Sequence, residues 1–385
     1  MKFLHTADLH IGKVIHDVSM LEDQRHILRQ ILRIACSRSV DALVLAGDIY
    51  DRAIPPAEAV VMFDGFLQEA VDAGIRVLMV SGNHDSPERI GFAGGILEKQ
   101  GVSIAGVYRG ELKQVRMEDG YGEVTFVLMP FVKPAQAGGK TSAEAVEKML
   151  KPLRDKEDGK GDGNPRRRVL VTHYFVTDNG KEPELSDGET TIHVGGLDNV
   201  EASLLEGFDY VALGHIHKPQ RIGSGPVYYA GASLGYSFSE AGQTKYVNVV
   251  ELGKKGQVSV EQVPLSPLHG LRKIRGNMEE LMKPEIVAAA DCTDYIQAEL
   301  TDRDELIDPI GTLRTVYPNI LQILLSKNGE KTGGEYTALQ EDRRKDIPEL
   351  FREFYAMVRG EEPDGRRMEL IKEVAKEAEV ENHEA

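Results

Sequence analysis

The sequence predicts an α/β protein whose β-sheets carry helices on their outer faces. Short apolar runs end in polar residues, as do strands that are buried on both faces of a sheet. Amphipathic helical patterns separate the first of these runs, and further apolar runs follow in the middle of the chain. A chain of 385 residues has room for one large domain and a smaller one.

The predicted strands follow one another over the first 265 residues. The apolar runs that we assign to strands are 2–8, 41–48, 75–85, 124–131, 167–174, 210–217 and 225–232. Residues 246–263 contain two runs around a glycine-bounded turn and predict a β-hairpin. Two helices are predicted from apolar residues at helical spacing, which are Ile27, Ile31 and Ile34, and then Val60, Phe63, Leu67 and Val71.

The remaining segments are less regular. Residues 135–168 hold a short helix candidate and then a stretch rich in glycine and charge, which we expect to be a mobile surface insertion with Arg166–Arg168 as its solvated flank. The predicted organisation is a domain of residues 1–265, a small mixed domain of residues 266–328, a polar linker of residues 329–345 and a helical tail of residues 346–385.

Composition narrows the classes of function. No apolar run reaches the length of a membrane span, and Cys36 and Cys292 match neither a disulfide framework nor a zinc site, which favours a reducing cytoplasm. The net charge of -16 argues against nucleic-acid binding through an overall basic surface. Any contact with DNA must therefore come from a local groove, from bound cations or from a partner.

Five polar clusters carry the candidate chemistry, and each lies at the end of a predicted strand. Because the carboxyl ends of strands in α/β sheets converge on one crevice, these residues can meet there. A lone histidine at a strand end is more often structural, but all five clusters in order have no structural explanation as a set. The clusters hold Asp8 with His10, Asp48 with Asp51, Asn83 with His84, His173, and His215 with His217.

The ligand types predict a pair of divalent metal ions. Two carboxylates, four imidazoles and one amide oxygen, without a thiolate, suit Mn, Fe or Zn, and seven ligands are too many for one tetrahedral ion. Two ions about 3.5–4 Å apart hold the attacking and leaving oxygens of a phosphoryl displacement. We assign Asp8, His10, Asp48 and His217 to one ion, and Asp48, Asn83, His173 and His215 to the other.

Three further residues are assigned to catalysis and substrate. His84 follows a ligand and is predicted to protonate the leaving oxygen or to stabilise charge on the phosphate. The Asp51 carboxylate is expected to hold the His84 ring in the required tautomer. Arg52, next to Asp51, is expected to contact a substrate phosphate.

These motifs resemble those of the calcineurin-like metallophosphoesterases, which implies a sandwich of two mixed β-sheets flanked by helices. Residues 5–13, 46–56 and 79–90 are similar to the SbcD family, the nuclease subunits of bacterial SbcCD complexes. Residues 294–321 resemble that family's capping domain, so residues 266–328 are expected to cap the site and contact DNA. Some relatives in the wider double-strand-break repair family carry a histidine at the position of Asp51.

The resemblance also implies an activity and a partner. It implies a manganese-dependent nuclease with 3′–5′ exonuclease action on duplex ends and endonuclease action on single strands or hairpins. It implies a homodimer that joins an SbcC-type ATPase in a heterotetramer for DNA repair and recombination. Two other functions stay open, a phosphodiesterase or phosphatase for small molecules and a DNA-end-binding scaffold that regulates the ATPase.

Two helix candidates in the tail carry apolar stripes. A helix of this kind, placed beyond a polar linker, packs on its own chain or binds a partner, and the resemblance favours the ATPase as that partner. The stripes consist of Ile347, Leu350, Phe351, Phe354, Tyr355 and Val358, and of Met368, Ile371, Val374 and Ala375.

Overall fold

A computed structural model describes residues 1–158, 166–186, 198–302, 306–326, 352, 355 and 363–372. Contacts divide the chain into two compact units, residues 1–325 and residues 326–385. Among the residues that the structure describes, no helix is both long enough and apolar enough to cross a membrane.

The first unit contains all the named strands. They are β1 Lys2–Thr6, β2 Val14–Ile15, β3 Val18–Ser19, β4 Ala42–Ala46, β5 Arg76–Val80, β6 Val102–Ala105, β7 Lys113–Asp119, β8 Gly122–Met129, β9 Arg167–His173, β10 Phe175–Thr177, β11 Asn199–Glu201, β12 Tyr210–Gly214, β13 Gln220–Ile222, β14 Val227–Tyr229, β15 Lys245–Leu252, β16 Val258–Leu265, β17 Leu271–Gly276, β18 Tyr295–Leu300 and β19 Ile320–Leu325.

Helices of very different lengths connect these strands. The α-helices are α1 Leu21–Ser37, α2 Ala57–Asp72, α3 Pro87–Ile90, α4 Gly94–Leu97, α5 Ser142–Asp158, α6 Met278–Leu281, α7 Pro284–Val287 and α8 Pro309–Arg314. Short 3-10 turns cover Glu98–Gln100, Pro134–Ala137, Ala202–Leu205 and Phe238–Glu240.

Two six-stranded mixed sheets form the centre of the first unit. Sheet one has the order β16-β15-β1-β4-β5-β6, in which β1, β4, β5 and β6 are parallel and β15 and β16 are antiparallel. Sheet two has the order β13-β14-β12-β9-β8-β7, in which the four inner strands are parallel and the two edge strands are antiparallel. The predicted strands and the predicted hairpin are all present.

The two sheets pack face to face over a shared apolar core. Phe3 and Val44 from sheet one meet Phe126 and Val169 from sheet two in a single buried cluster. The rings of Phe3 and Phe126 are in edge contact, with centroids 5.4 Å apart. This packing makes the centre a two-sheet sandwich, as expected.

Helices cover the outer face of each sheet. The buried face of α1 includes Ile27 and Ile31, as the sequence spacing predicts, and packs on sheet one. On α2 the predicted Phe63 is buried, and Leu67 and Val71 are partly buried against the same core. Phe66 joins this stripe, whereas the predicted Val60 is 44% exposed. The other face of sheet two is covered by α5, which contributes buried apolar side chains to the core there.

The expectation of a mobile insertion at residues 135–168 is wrong for most of that segment. The short helix candidate is the 17-residue α5, with Val146 and Met149 fully buried against sheet two. The charged residues beyond it had obscured the helical spacing of these apolar side chains. Residues 159–165 lie outside the described residues.

Arg167 also departs from the expected solvated flank, because its side chain is 4% exposed. Its guanidinium donates to the Asp119 carboxylate at 3.0 Å and to the carbonyl of Gly253 at 2.9 Å. The Asp119 carboxylate accepts from the N-terminal amine of Met1 as well. Arg167 thus joins β7, β9 and the turn after β15.

A third sheet, which we call the C-terminal sheet, consists of the parallel strands β17, β18 and β19. Short helices connect its strands, and it has an apolar core of its own that includes Ile296, Leu313 and Tyr317. In the tail, residues 365–372 are helical, and so are residues 352 and 355. The predicted linker and the remaining stripe positions, Ile347, Leu350, Phe351, Phe354, Val358, Val374 and Ala375, lie outside the described residues.

The Arg167→Met variant should lower the free energy of unfolding by about 3 kcal/mol, because it leaves the Asp119 carboxylate without its main cationic partner. Urea denaturation measures this change. Arg116→Met is the matched control, since the Arg116 side chain is 70% exposed, and it should change the same quantity by less than about 0.5 kcal/mol. Equal effects of the two substitutions would contradict the structural role of Arg167.

Candidate metal centre

The candidate ligands lie where the two sheets meet, at the carboxyl ends of their central parallel strands. Asp8 and His10 follow β1, Asp48 follows β4 and Asn83 follows β5. In sheet two, His173 ends β9, and His215 and His217 follow β12. The sheet topology therefore brings all seven predicted ligands to one place.

Main-chain hydrogen bonds hold the first two loops against each other. The amide of Asp8 donates to the carbonyl of Gly47 at 3.1 Å, and the amide of His10 donates to the carbonyl of Asp48 at 3.0 Å. The ladder continues beyond the strands as the amide of Ile11 donates to the carbonyl of Ile49 at 2.9 Å. The loops consequently behave as extensions of β1 and β4.

Four of the seven ligand positions adopt positive φ, although none is glycine. The φ angles are 51° at Asp8, 43° at His10, 48° at Asp48 and 103° at His215. Such backbone conformations cost about 1–3 kcal/mol each and cluster at functional sites, where the surrounding structure enforces them. The positive φ angles thus strain the backbone at these four residues and direct their side chains toward one another.

Two glycines make the close approach of these loops possible. A Cβ on Gly47 would lie 2.4 Å from Nδ1 of His173, and a Cβ on Gly82 would lie 2.1 Å from the Asp48 carboxylate. Any larger residue at either position would displace a candidate ligand. The glycines in the GD and GN pairs of the sequence are therefore part of the site.

We call Asp8, His10 and His217 the first half-site. The Nε2 atoms of His10 and His217 are 3.1 Å apart, and Nε2 of His10 lies 3.9 Å from the Asp48 carboxylate. Ligand atoms of Asp8, His10 and His217 all lie within 4.8 Å of one another. Two imidazole nitrogens that face each other beside buried carboxylates are an arrangement typical of ligands around a cation.

We call Asn83, His173 and His215 the second half-site. Oδ1 of Asn83 lies 3.0 Å from Nε2 of His173 and 3.1 Å from Nδ1 of His215. Nε2 of His173 is 3.2 Å from the Asp48 carboxylate, and Nδ1 of His173 donates to the carbonyl of Ala46 at 2.7 Å. The Asp48 carboxylate thus lies between the two half-sites, in the place of the predicted bridge.

The donor set fits a pair of divalent cations. All seven donors are oxygen or imidazole nitrogen, and Asp8, His10, Asp48 and His173 are at most 2% exposed. Nδ1 of His10 is buried without a hydrogen-bond partner. Buried carboxylates and imidazoles at this density are stable only with compensating charge, which two dications supply.

The ionisation of the buried groups depends on their neighbours. Burial opposes the charged form of Asp48, but the charges of His173, His10 and His84 outweigh it and keep the pKa of Asp48 below its usual range. The same pairing, chiefly with Asp48, raises the pKa of His173 in spite of burial. Burial raises the pKa of Asp8 and lowers that of His10. In the metal-free protein a proton on His173 therefore compensates part of the negative charge that bound cations would compensate.

His84 lies beside the ligands but is more accessible than they are. Its side chain is 38% exposed, and its Nε2 is 4.0 Å from the Asp48 carboxylate. Its Nδ1 donates to the main-chain carbonyl of Asp51 at 2.9 Å. The ring is thus fixed with Nε2 directed toward the metal centre, as a residue that contacts substrate requires.

The sequence predicted that the Asp51 carboxylate orients His84, and this prediction is wrong. The orienting contact comes from the main-chain carbonyl of Asp51. The carboxylate instead pairs with Nζ of Lys13 at 2.8 Å and lies 3.9 Å from Nδ1 of His10. The positive charge of Lys13 draws it away from His84. The guanidinium of Arg52 is 58% exposed and 3.7 Å from the same carboxylate, next to the centre.

Sequence reasoning missed Asp85, which holds two of the loops together. Its buried carboxylate accepts hydrogen bonds from the amides of Ile49, Tyr50 and Gly82, at 3.1, 2.9 and 2.9 Å. Burial and the nearby Asp48 charge raise its pKa to about 6. Its position directly after the cluster of Asn83 and His84 was the available signal.

Glu240 and Lys13 were missed as well. Glu240 is buried, lies 3.8 Å from Nδ1 of His217 and pairs with Lys245. No motif marks Glu240, because only the fold brings it to His217. Lys13 follows the first cluster by three residues and lines a cleft of about 80 Å³ together with His10, Asp48 and His84.

Comparisons with known proteins show the family of the chain. The model of the calcineurin-like phosphoesterase family matches residues 1–219, and the model described as the type 5 capsule protein repressor C-terminal domain matches residues 267–359. The SbcD subunit of nuclease SbcCD from Staphylococcus epidermidis is 30% identical over 330 residues, which cover 84% of this chain and 85% of that protein. The protein of the same name from Staphylococcus saprophyticus is 30% identical over 331 residues, 84% of each chain. A dimetal phosphatase structure from Danio rerio matches 70% of this chain and 98% of its own at a TM-score of 0.44 and 13% identity.

Metal binding should release protons near neutral pH. The raised pKa of His173 keeps its ring protonated there, and the ring must lose a proton to bind an ion. The apparent affinity for Mn²⁺ should therefore increase as the pH rises through that raised pKa. Isothermal titration calorimetry in two buffers of different ionisation enthalpy counts the protons. His173→Asn should release fewer protons, and binding by the parent protein without any release would contradict the assignment.

Proposed function

The chain belongs to the calcineurin-like phosphoesterases and, among them, to the SbcD family of nuclease subunits, and from this we propose that it is a two-metal nuclease that hydrolyses phosphodiester bonds of DNA. We propose 3′–5′ exonuclease action on duplex ends and endonuclease action on single strands and hairpins. The ends would be processed together with an SbcC-type ATPase.

The convergence of six candidate ligands around a seventh, the Asp48 carboxylate, is the observation that carries this proposal. Asp8, His10 and His217 would hold one ion, while Asn83, His173 and His215 would hold the other, with Asp48 shared. We propose Mn²⁺ for both ions, because the donor set suits Mn, Fe or Zn and the resemblance to the SbcD family implies manganese. Bound ions would supply a Lewis acid and a nucleophile near neutral pH.

His84 is proposed to contact the phosphate that is cleaved. The carbonyl of Asp51 keeps one proton on Nδ1, so Nε2 is the atom that faces the phosphate. In the imidazolium form of the ring Nε2 carries the second proton, which it gives to the leaving oxygen or shares with the charged phosphate, and the ring is left with its proton on Nδ1. Its exposure is consistent with substrate contact, whereas the buried ligands are out of reach of DNA. Arg52 is proposed as an additional phosphate contact because its side chain is exposed and its guanidinium lies 3.7 Å from the carboxylate of Asp51, the residue whose carbonyl holds His84.

Local positive charge at the metal centre would allow a phosphodiester to bind in spite of the net negative charge of the chain. The net charge is -16, but two dications against the carboxylates of Asp8 and Asp48 would leave about two positive charges in the site, and Lys13 lines the same cleft. A phosphodiester would thus meet a positive site inside a negative protein. We further propose that residues 266–328, which include the C-terminal sheet, form a domain that caps the site and contacts DNA, and that the ATPase supplies further phosphate contacts.

A homodimer is proposed from the apolar surface on the outer face of sheet one. Val61 of α2 is 71% exposed, and Phe92 and Ile96 near α4 are 80% and 71% exposed. Both segments pack on the same face of the sheet, since Phe66 and Ile90 belong to one core. Exposed apolar side chains on one face of a sheet favour association of two copies. With two ATPase subunits this pair would make a heterotetramer.

The proposed role of His84 predicts that His84→Ala retains both metal ions and loses most nuclease activity. A general acid contributes about 10²–10⁴-fold to rate, so the decrease should fall in that range. Metal content and DNA cleavage with Mn²⁺ would be measured on the same preparation. Asp48→Ala is the control that should lose metal as well as activity. Cleavage by His84→Ala at the parent rate would exclude His84 from the chemistry.

The dimer proposal predicts that Val61→Glu converts a dimer into a monomer, because it places a charge in the apolar contact. Analytical ultracentrifugation of the purified chain gives its mass. Ile307→Glu serves as the control, since Ile307 is 93% exposed in the segment that leads into α8. A monomeric parent protein, or a variant that stays dimeric, would refute this interface.

The tail proposal predicts that deletion of residues 346–385 abolishes binding to the ATPase, because the apolar stripes are the surface that this partner would bury. The deletion should leave single-strand cleavage intact, since all candidate ligands lie in residues 1–325. Co-purification with the ATPase and a cleavage assay test the two statements separately. Unchanged ATPase binding after the deletion would locate the interface elsewhere.

A further inference from the structure

Helix α1 carries two buried polar residues, Asp23 and Gln24, in its first turn. Asp23 is fully buried and Gln24 is 3% exposed. Neighbouring residues on an α-helix point about 100° apart, so the two side chains face different parts of the protein. Asp23 faces the C-terminal sheet, whereas Gln24 faces the loop that carries His10.

Asp23 binds the C-terminal sheet and the segment that leads into it. Its carboxylate accepts hydrogen bonds from the Tyr295 hydroxyl at 2.8 Å and from the His269 amide at 3.0 Å. The His269 ring lies against the Tyr295 ring, with centroids 5.4 Å apart. Further along α1, Gln30 accepts from the amide of Ser266 at 2.8 Å. The C-terminal sheet is therefore anchored on α1 by a buried carboxylate.

Gln24 binds the loop of the first half-site. Its Oε1 accepts from the amide of Gly12 at 2.9 Å, and its Nε2 donates to the carbonyl of His10 at 2.7 Å and to the Tyr236 hydroxyl at 3.2 Å. His10 has positive φ, so its loop depends on such contacts to keep its conformation. A shift of the first turn of α1 would move His10.

A second route leads from the C-terminal sheet to His217. Leu271 of β17 packs closely on Gly235. A Cβ added to Gly235 would lie 2.8 Å from Cδ1 of Leu271. The adjacent amide of Tyr236 donates to Glu240 at 3.1 Å, and Glu240 lies 3.8 Å from Nδ1 of His217. Both routes thus end in the first half-site, on the two histidines whose Nε2 atoms are 3.1 Å apart.

The second half-site is held by other parts of the fold. His173 belongs to β9 and donates to the carbonyl of Ala46 at the end of β4, and Asn83 lies directly after β5. These strands are the centres of the two sheets. Movement of the C-terminal sheet therefore acts on one half of the metal centre more than on the other.

We propose that Asp23 and Gln24 are positioning residues that couple docking of the C-terminal sheet to metal binding at the first half-site. Loss of the Tyr295–Asp23 contact lowers the affinity of the first half-site for its ion and leaves the affinity of the second half-site unchanged. DNA that displaces the C-terminal sheet would control nuclease activity through this ion. This inference rests on the proposed two-metal function.

The test is calorimetric titration of the full chain with Mn²⁺ in the absence of DNA. Tyr295→Phe removes one hydroxyl and should weaken one of two binding events by about tenfold, a typical size for coupled sites, with the other unchanged. Gln24→Met should weaken the same event. Adding Tyr295→Phe to His217→Ala should have little further effect, whereas adding it to His215→Ala should weaken the ion that remains.

Tyr317→Phe is the matched control, because the Tyr317 hydroxyl donates to the carbonyl of Leu281 within the C-terminal sheet and its helices. It should leave both binding events unchanged. If Tyr295→Phe fails to fold, His269→Ala removes another contact with the same carboxylate, because Nδ1 of His269 lies 3.2 Å from Asp23 and its side chain is 22% exposed. Equal weakening of both events, or none, would overturn the coupling alone. A parent chain that binds fewer than two ions would overturn the proposed function as well.

Discussion

The buried carboxylate of Asp48 is the group on which the rest of the site depends. It lies at the junction of the two sheets, 2% exposed, and a charge in that position is stable only if other groups compensate it. His173 approaches it from sheet two at 3.2 Å, and the amide of His84 donates to it at 2.9 Å from the loop after β5. The charge therefore links both sheets and both half-sites, and its full compensation requires cations.

The surrounding fold is arranged to allow that approach. Positive φ at Asp8, His10 and Asp48, together with glycine at 47 and 82, brings three loops within ligand distance of one another. Asp85 then fixes two of these loops through three main-chain amides. The strain is local, and the large apolar core between the sheets supplies the stability that maintains it.

The sequence predicted the sheets and the convergence of the candidate ligands well because both are encoded locally. Each strand is a short apolar run, and each candidate ligand follows such a run, so the rule for strand ends brought Asp8 and His215 together across more than 200 residues. Prediction from the sequence failed where contacts between distant residues determine the environment of a side chain. Arg167 is buried because Asp119 and the carbonyl of Gly253 lie beside it, and Glu240 reaches His217 only through the fold. The Asp51 carboxylate pairs with Lys13 and not with His84. The sequence spacing does not reveal which of these two partners the carboxylate contacts.

Hydrolysis of DNA by the purified chain with Mn²⁺ is the most direct measurement. A blunt duplex, a hairpin, a single strand and a simple chromogenic phosphodiester would be compared in one series, with Asp48→Ala beside the parent protein. A two-metal DNA nuclease cleaves at least one DNA substrate, loses that activity in Asp48→Ala, and gains action on duplex ends when the ATPase and ATP are added. Hydrolysis of the simple ester without cleavage of any DNA would contradict the assignment of DNA as the substrate.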